Sequence, residues 1–110
     1  HEKRKFVTRL DYLTSPGQLS GSGSREAAGL RPGGVSVVVT NLGVMRFHKD
    51  TGRMYLDQYY PGTTPGMVLE NTQFDMDVSQ AVQAVPPTET ELKILRENCD
   101  PQRLILGPAA

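Results

Sequence analysis

Gly43-Val-Met-Arg-Phe-His-Lys-Asp-Thr-Gly-Arg-Met-Tyr-Leu-Asp-Gln-Tyr-Tyr60 is the most informative stretch of the chain. Its two arms carry β-branched and aromatic side chains at a rough period of two, the period of a strand with one buried face. Lys49-Asp-Thr-Gly52 lies between them, with His48 at its mouth. A glycine closing such a connection suits a type I turn followed by a residue in the left-handed region. The spacing predicts a β-hairpin over about 43–60.

Upstream, Val35-Ser-Val-Val-Val-Thr40 is apolar on both faces, which predicts a strand at the centre of a sheet. Lys5 to Thr14 alternates apolar and polar side chains and reads as one or two short strands, ended by Ser15-Pro-Gly17. Gln18 to Gly34 is an irregular loop. Within it, Ser24 to Gly29 suits one helical turn with Ser24 as N-cap. Downstream, Pro61-Gly62 breaks the second arm, and Thr64-Pro65 supplies a cap with proline at the first helical position. That helix is expected over about 65–72, burying Val68 and Leu69. Phe74 to Val78 reads as short and extended, and Ala84-Val-Pro-Pro87 as a stiff connector. Thr88-Glu-Thr-Glu91 is a capping box opening a helix over about 89–98, with Leu92 and Leu95 on one face. Asp100-Pro101 stops it, and Leu104-Ile-Leu106 is a last apolar segment. The expected fold class is α/β, with a small mixed sheet, one hairpin and two or three helices.

The 110 residues suit one domain or part of a larger one, and are read as a single segment. Twelve basic and 12 acidic side chains cancel, which argues against nucleic acid or an anionic membrane surface as a partner. Cys99 is the single cysteine, so an internal disulfide is excluded and a reducing cytoplasm fits. No apolar run approaches the roughly 20 residues of a membrane span, and no signal peptide is visible. Hydrophobic content is 37%, with 11 Gly, 8 Pro and no Trp, so marginal stability or a surface that needs a partner is expected. The first residue is His rather than Met, which suggests a fragment or a processed or trimmed chain.

Candidate chemistry is sparse. His1 and His48 stand far apart, and neither pairs with Cys or carboxylate at metal-ligand spacing, so no metal site is expected. Cys99 lies at a helix C-terminus, where the dipole disfavours a thiolate. Gly21-Ser22-Gly23-Ser24 followed by Arg25 is the one stretch resembling a phosphate cradle, without the pattern of a P-loop or dinucleotide fingerprint. Its alternative is a flexible surface loop. Asp75 and Asp77 would point the same way on an extended segment, but lack an evident partner. Tyr55, Tyr59 and Tyr60 read as core and interface aromatics. Spacing alone identifies no active site.

A resemblance adds to this. His1-Glu-Lys-Arg-Lys-Phe6, Asp11-Tyr-Leu-Thr-Ser-Pro-Gly17, the Arg25-Glu26 loop ending at Gly29-Leu30, Val38-Val-Thr-Asn-Leu-Gly43, Thr51-Gly-Arg-Met-Tyr-Leu56, Tyr59-Tyr-Pro61, Leu69-Glu-Asn-Thr72, Phe74-Asp-Met-Asp-Val-Ser79 and Leu95-Arg-Glu97 with Asp100-Pro101 run through nearly the whole chain in order. Together they resemble the C-terminal part of B subunits in the glutaconate-type class I CoA-transferases. The resemblance implies two related α/β subunits that move CoA from an acyl-CoA to a free carboxylate. A B-subunit glutamate would attack the thioester, giving an anhydride and then a glutamyl-CoA thioester. That glutamate belongs to an earlier half, in a Glu-Ser-Gly or Glu-Asn-Gly setting. Neither tripeptide occurs here; Glu70-Asn-Thr72 and Glu97-Asn-Cys99 share two letters only. No catalytic residue is therefore carried over. The resemblance implies no covalently bound cofactor, with coenzyme A as substrate of the parent enzyme; the Gly21, Ser22, Gly23 and Arg25 cradle, read from the residues alone, is then the candidate contact for an anionic part of CoA. The implied partners are the missing N-terminal half and an A subunit, with self-association of the isolated piece. A related acyl-CoA hydrolase and a non-catalytic stand-alone module are the alternatives.

Overall fold

A computed structural model describes residues 1–108 of the chain. The elements in order are α1 (Ser24–Ala27), β1 (Val38–Val39), β2 (Gly43–Phe47), β3 (Met54–Tyr59), α2 (Pro65–Glu70), β4 (Val82–Gln83) and α3 (Glu89–Lys93), which continues as a π-helical segment, Ile94–Cys99. The strands form one mixed sheet in the order β1-β2-β3-β4. Its first two pairings are antiparallel and the last is parallel.

The expected hairpin is the antiparallel pair β2 and β3. His48 N–H donates to the Arg53 carbonyl (2.9 Å) and Gly52 N–H to the His48 carbonyl (2.7 Å), closing the turn. Gly52 sits at φ +68°, which a side chain would strain. Register shifts between Val44 and Met45: Val44 faces Gln58 and Met45 faces Leu56, so Asp57 stands unopposed as a β-bulge. The bulge changes the phase of β3. Gly43, Met45 and Phe47 share a face and oppose Tyr59, Leu56 and Met54, so Leu56 and Tyr59 both face inward although they are three residues apart. The Asp57 carboxylate accepts from Arg46 Nε at 3.0 Å.

That inward face carries the core. Leu42, Met45, Leu56, Val68 and Met76 are buried, with Val38, Met54, Tyr59, Phe74, Val78 and Ala81 packed against them. α2 covers the sheet from one side. Thr64 Oγ1 accepts from Met67 N–H (3.2 Å) and Pro65 starts the helix, as the sequence requires. Val68 is fully buried, but Leu69 remains 39% exposed, contrary to expectation. The helix is a single turn and a half, so only one side chain reaches the sheet. It ends at Glu70, and Thr72 Oγ1 donates back to the Val68 carbonyl just beyond (2.7 Å).

Two strand expectations are corrected. Val35 to Thr40 is not central: only Val38 and Val39 pair, and β1 lies at the sheet's edge. No strand among the described residues pairs with its outer edge, and Val35, Val37 and Val39, which alternate with the core-facing Val38, are exposed. Lys5 to Thr14 forms no strand, because it meets no sheet edge. Its anchor is Phe6, whose carbonyl accepts from Gln73 N–H (2.8 Å). Leu10, Tyr12 and Leu13 are exposed.

The expected capping box is present: Glu91 N–H donates to Thr88 Oγ1 (3.2 Å), and Thr88 N–H to Glu91 Oε2 (2.8 Å). Leu92 is half-buried, but Ile94 and Leu95 remain exposed. The helical segment stops at Cys99, before Asp100-Pro101 as expected, and Asp100 also orders the tail, which the sequence did not announce. Its carboxylate, 7% exposed as a residue, accepts from the N–H groups of Leu104 (2.8 Å), Ile105 (3.0 Å) and Leu106 (2.7 Å). The Leu106 N–H is the main reason its pKa is lowered; burial opposes the shift, and Ile105, Leu104 and the Arg103 charge add to it. A lowered folded pKa stabilises the tail above the ordinary carboxylate range and loses that contribution as pH falls through the lowered value. Acidification should therefore open residues 104–106, seen as faster amide exchange there than in β2 and β3. Asp100→Ala should show the same opening at neutral pH.

The radius of gyration is 16.7 Å, against about 13 Å for a compact chain of this length. Among the described residues no helix is long and apolar enough to cross a membrane.

Candidate functional site

The Gly-rich loop is seated on the tip of the hairpin. Gly21 lies at φ +74°, and a Cβ there would strike the Thr51 carbonyl oxygen. A Cβ at Gly52 would lie 2.7 Å from Gly21 Cα. The two backbones touch because both residues lack side chains. Ser22 is also at positive φ, +44°.

This contact makes a cleft of about 120 Å³, lined by Gly21, Ser22, Gly23, Arg25, Glu26 and Lys49 among others. The four residues expected from sequence are thus together. Their chemistry differs from a simple cradle. The Arg25 guanidinium is turned inward, donating through Nη1 to the Gly17 carbonyl and through Nη2 to the Arg31 carbonyl (3.3 Å). Its Nε is buried and meets no acceptor among the described residues. Arg25 therefore shapes the loop, and its charge reaches the cleft without a free fork of donors. Ser24 Oγ donates to the Gln18 carbonyl (3.2 Å) rather than capping α1. The amides of Ser22 and Gly23 donate to no group among the described residues. Lys49, from the hairpin turn, makes no ion pair among them and supplies the accessible cation. Sequence spacing missed Lys49, because it lies 24 residues after Arg25 and reads as turn filler.

The hairpin mouth holds a second polar group. His48, read from sequence as an exposed turn residue, stacks on Tyr55 (centroids 4.3 Å apart, 27° between planes). Its Nε2 lies 3.2 Å from Asp77 Oδ2. Asp77 Oδ1 accepts from Ser79 Oγ–H (2.6 Å) and Ser79 N–H (2.9 Å). The Ser79 hydroxyl chiefly, then its N–H, hold the Asp77 carboxyl below its usual range; desolvation opposes the shift, and His48 adds to it. Asp75 does not join this group; its carbonyl accepts from Arg53 Nη2 (3.4 Å). The Ser79 hydroxyl is spent on the oxygen turned away from His48, so this arrangement ties the 75–79 segment to the hairpin. Tyr59 packs on the core as expected, whereas Tyr55 serves His48.

His1 stacks on Phe6 (3.6 Å, 10°), with Nε2 2.9 Å from Thr72 Oγ1 and Nδ1 3.3 Å from Thr40 Oγ1. Cys99 is free and exposed. Among the described residues no group of three or more His, Cys, Asp or Glu side chains is placed to hold a metal ion. Glu70 and Glu97 are both exposed.

No family model matches the chain. It is 50% identical over 103 residues to the B subunit of the glutaconate CoA-transferase of Acidaminococcus fermentans, which is 92% of this chain and 38% of that protein. It is 35% identical over 105 residues to the cholesterol ring-cleaving hydrolase IpdB subunit of Mycobacterium tuberculosis, 94% of this chain and 41% of that protein. The crystal structure of glutaconate coenzyme A-transferase from Acidaminococcus fermentans superposes with a TM-score of 0.94 at 45% identity, over 98% of this chain and 42% of that one. The chain thus spans about two fifths of the length of the proteins it matches. Over that part of its length, the chain is a homologue of the B subunit of glutaconate CoA-transferase.

Proposed function

We propose that this chain is part of a glutaconate-type CoA-transferase that moves CoA between an acyl-CoA and a carboxylic acid, and that it is inactive by itself. The observation that carries this reading is 50% identity to the B subunit of such a transferase along 92% of the chain. The hydrolase reading has the weaker support, at 35% identity. A stand-alone module has less, since the exposed apolar side chains leave the fold without a finished core.

In the completed enzyme a glutamate outside this chain would attack the thioester carbonyl and expel CoA thiolate as an anhydride forms. The thiolate would then return to the glutamyl carbonyl, releasing the first acid, and the acceptor carboxylate would reverse the sequence. An A subunit is the proposed partner. The cleft at Gly21, Ser22, Gly23 and Arg25 is the place proposed for an anionic part of CoA. Free amides and Lys49 would receive it, with Arg25 setting the loop's shape. A reducing cytoplasm is the proposed compartment, on the strength of the single free thiol.

Isotope exchange of CoA between two acyl groups tests the reading. The chain alone should show no exchange above buffer, and exchange by the chain alone would overturn it. Titration with CoA should shift the amides of Ser22 and Gly23, and Lys49→Ala should weaken that binding severalfold. Unmoved amides would remove the cleft from the proposal.

A further inference from the structure

We propose that the outer edge of Val35 to Val39 is the seam at which the rest of the subunit adds a strand to this sheet and covers the side chains of Val35, Val37 and Val39. This rests on the reading of the chain as part of a larger subunit.

The main chain shows where the edge is open. Thr40 N–H donates to the Gly43 carbonyl (3.0 Å), so Thr40 and Gly43 are a hydrogen-bonded pair of the antiparallel ladder. Such pairs alternate with non-bonded ones. Val38 opposite Met45 is therefore bonded, and Val39 opposite Val44 turns its N–H and C=O away from β2. That outer side has no strand among the described residues. The N–H groups of Val35, Ser36 and Val37 also donate to nothing among them. The Val35 carbonyl has a side-chain partner, Gln18 Nε2, at 3.0 Å. An extended, β-branched run with open main-chain groups is a template for another strand.

The side chains agree. Val38 points to the core and is packed against it. Val35, Val37 and Val39 alternate with it and remain 38%, 38% and 67% exposed. A run that is apolar on both faces belongs in a sheet covered on both faces, and here one face is bare.

The occupant follows from the fold comparison. This chain has the conformation of 42% of a longer chain, matched at a TM-score of 0.94. The proposal assigns the edge left open here to the other part of such a chain. A second copy of this chain is the competing occupant, and it would pair β1 with β1 about a two-fold axis.

Amide exchange, read residue by residue, tests the seam. In the chain alone Val37 and Val39 should exchange freely while Val38 is protected. Co-expression with the complementary part of the Acidaminococcus fermentans B subunit should slow exchange at Val37 and Val39 at least about tenfold. Val37→Pro, which removes one open donor outside the ladder, should cut co-purification of the two pieces by a similar factor, and Val37→Ile should not. Protection in the chain alone, lost on dilution, would assign the edge to a second copy and overturn the proposal. Assembly of the two pieces that leaves both amides unprotected would place the seam elsewhere. If the pair assembles with both amides protected yet transfers no CoA even with the A subunit present, the transferase reading fails and the seam stands.

Discussion

Leu56→Ala should leave the chain largely unfolded in buffer. Leu56 is fully buried in β3, opposite the equally buried Met45, and the two belong to a core of five buried apolar residues among those described. Truncating a buried leucine costs about 2–5 kcal/mol, part from lost transfer energy and part from the cavity left behind. A whole domain is ordinarily stable by about 5–15 kcal/mol, and a core this small places the chain at or below the lower end. Far-UV circular dichroism against urea should show the folded baseline of the parent shortened or gone. Leu56→Met keeps the volume and should cost less than about 1.5 kcal/mol. Equal losses for both would mean that packing at Leu56 is not what holds the sheet.

Gly43→Val should be at least as damaging, for a reason of shape rather than lost contact. Gly43 is buried at the start of β2, opposite Tyr59. A Cβ there would strike the Gln58 carbonyl oxygen, with Leu56 Cδ1 at 3.2 Å and Tyr59 Cα at 3.3 Å. Two of those three neighbours are β3 main chain, which cannot swing aside as a side-chain tip does. The hairpin must open at its base, at a cost on the order of 3 kcal/mol or more. Gly66→Ala is the matched control. Its Cβ meets only Thr64 Oγ1, at 3.6 Å, and it lies inside α2. There alanine should stabilise by up to about 1 kcal/mol. Urea midpoints of the two variants should move in opposite directions. A Gly43→Val midpoint close to the parent's would show that the strands separate easily at that end.

Local chemistry was legible in the sequence, and long-range pairing was not. Thr64-Pro65, Thr88 with Glu91, and Lys49 to Gly52 predicted their caps and turn because each is satisfied within four residues. The bulge at Asp57 was hidden, since a period of two says nothing about where a partner strand skips a residue. Val35 to Thr40 was read correctly as strand-like but misplaced within the sheet, because composition reports burial in a completed fold. Lys5 to Thr14 failed for the same reason: alternation forms a strand only where an edge receives it. At the candidate site, Gly21, Ser22, Gly23 and Arg25 were found as a loop. Arg25's inward turn and the arrival of Lys49 depended on the hairpin folding beneath them. The pairing of His48 with Asp77 spans 29 residues and left no local signal.

The seat of Gly21 on Thr51 and Gly52 has one more consequence. Surface loops ordinarily tolerate insertions because their tips have room to grow into solvent. Here two tips are held in register by bare main chain, with no side chain between them to give way. Extra length near either glycine would pull the other off its position and carry Lys49 away from the Gly-rich loop. Both turns are therefore fixed in length as well as in residue type, and a deletion in one would need a matching change in the other.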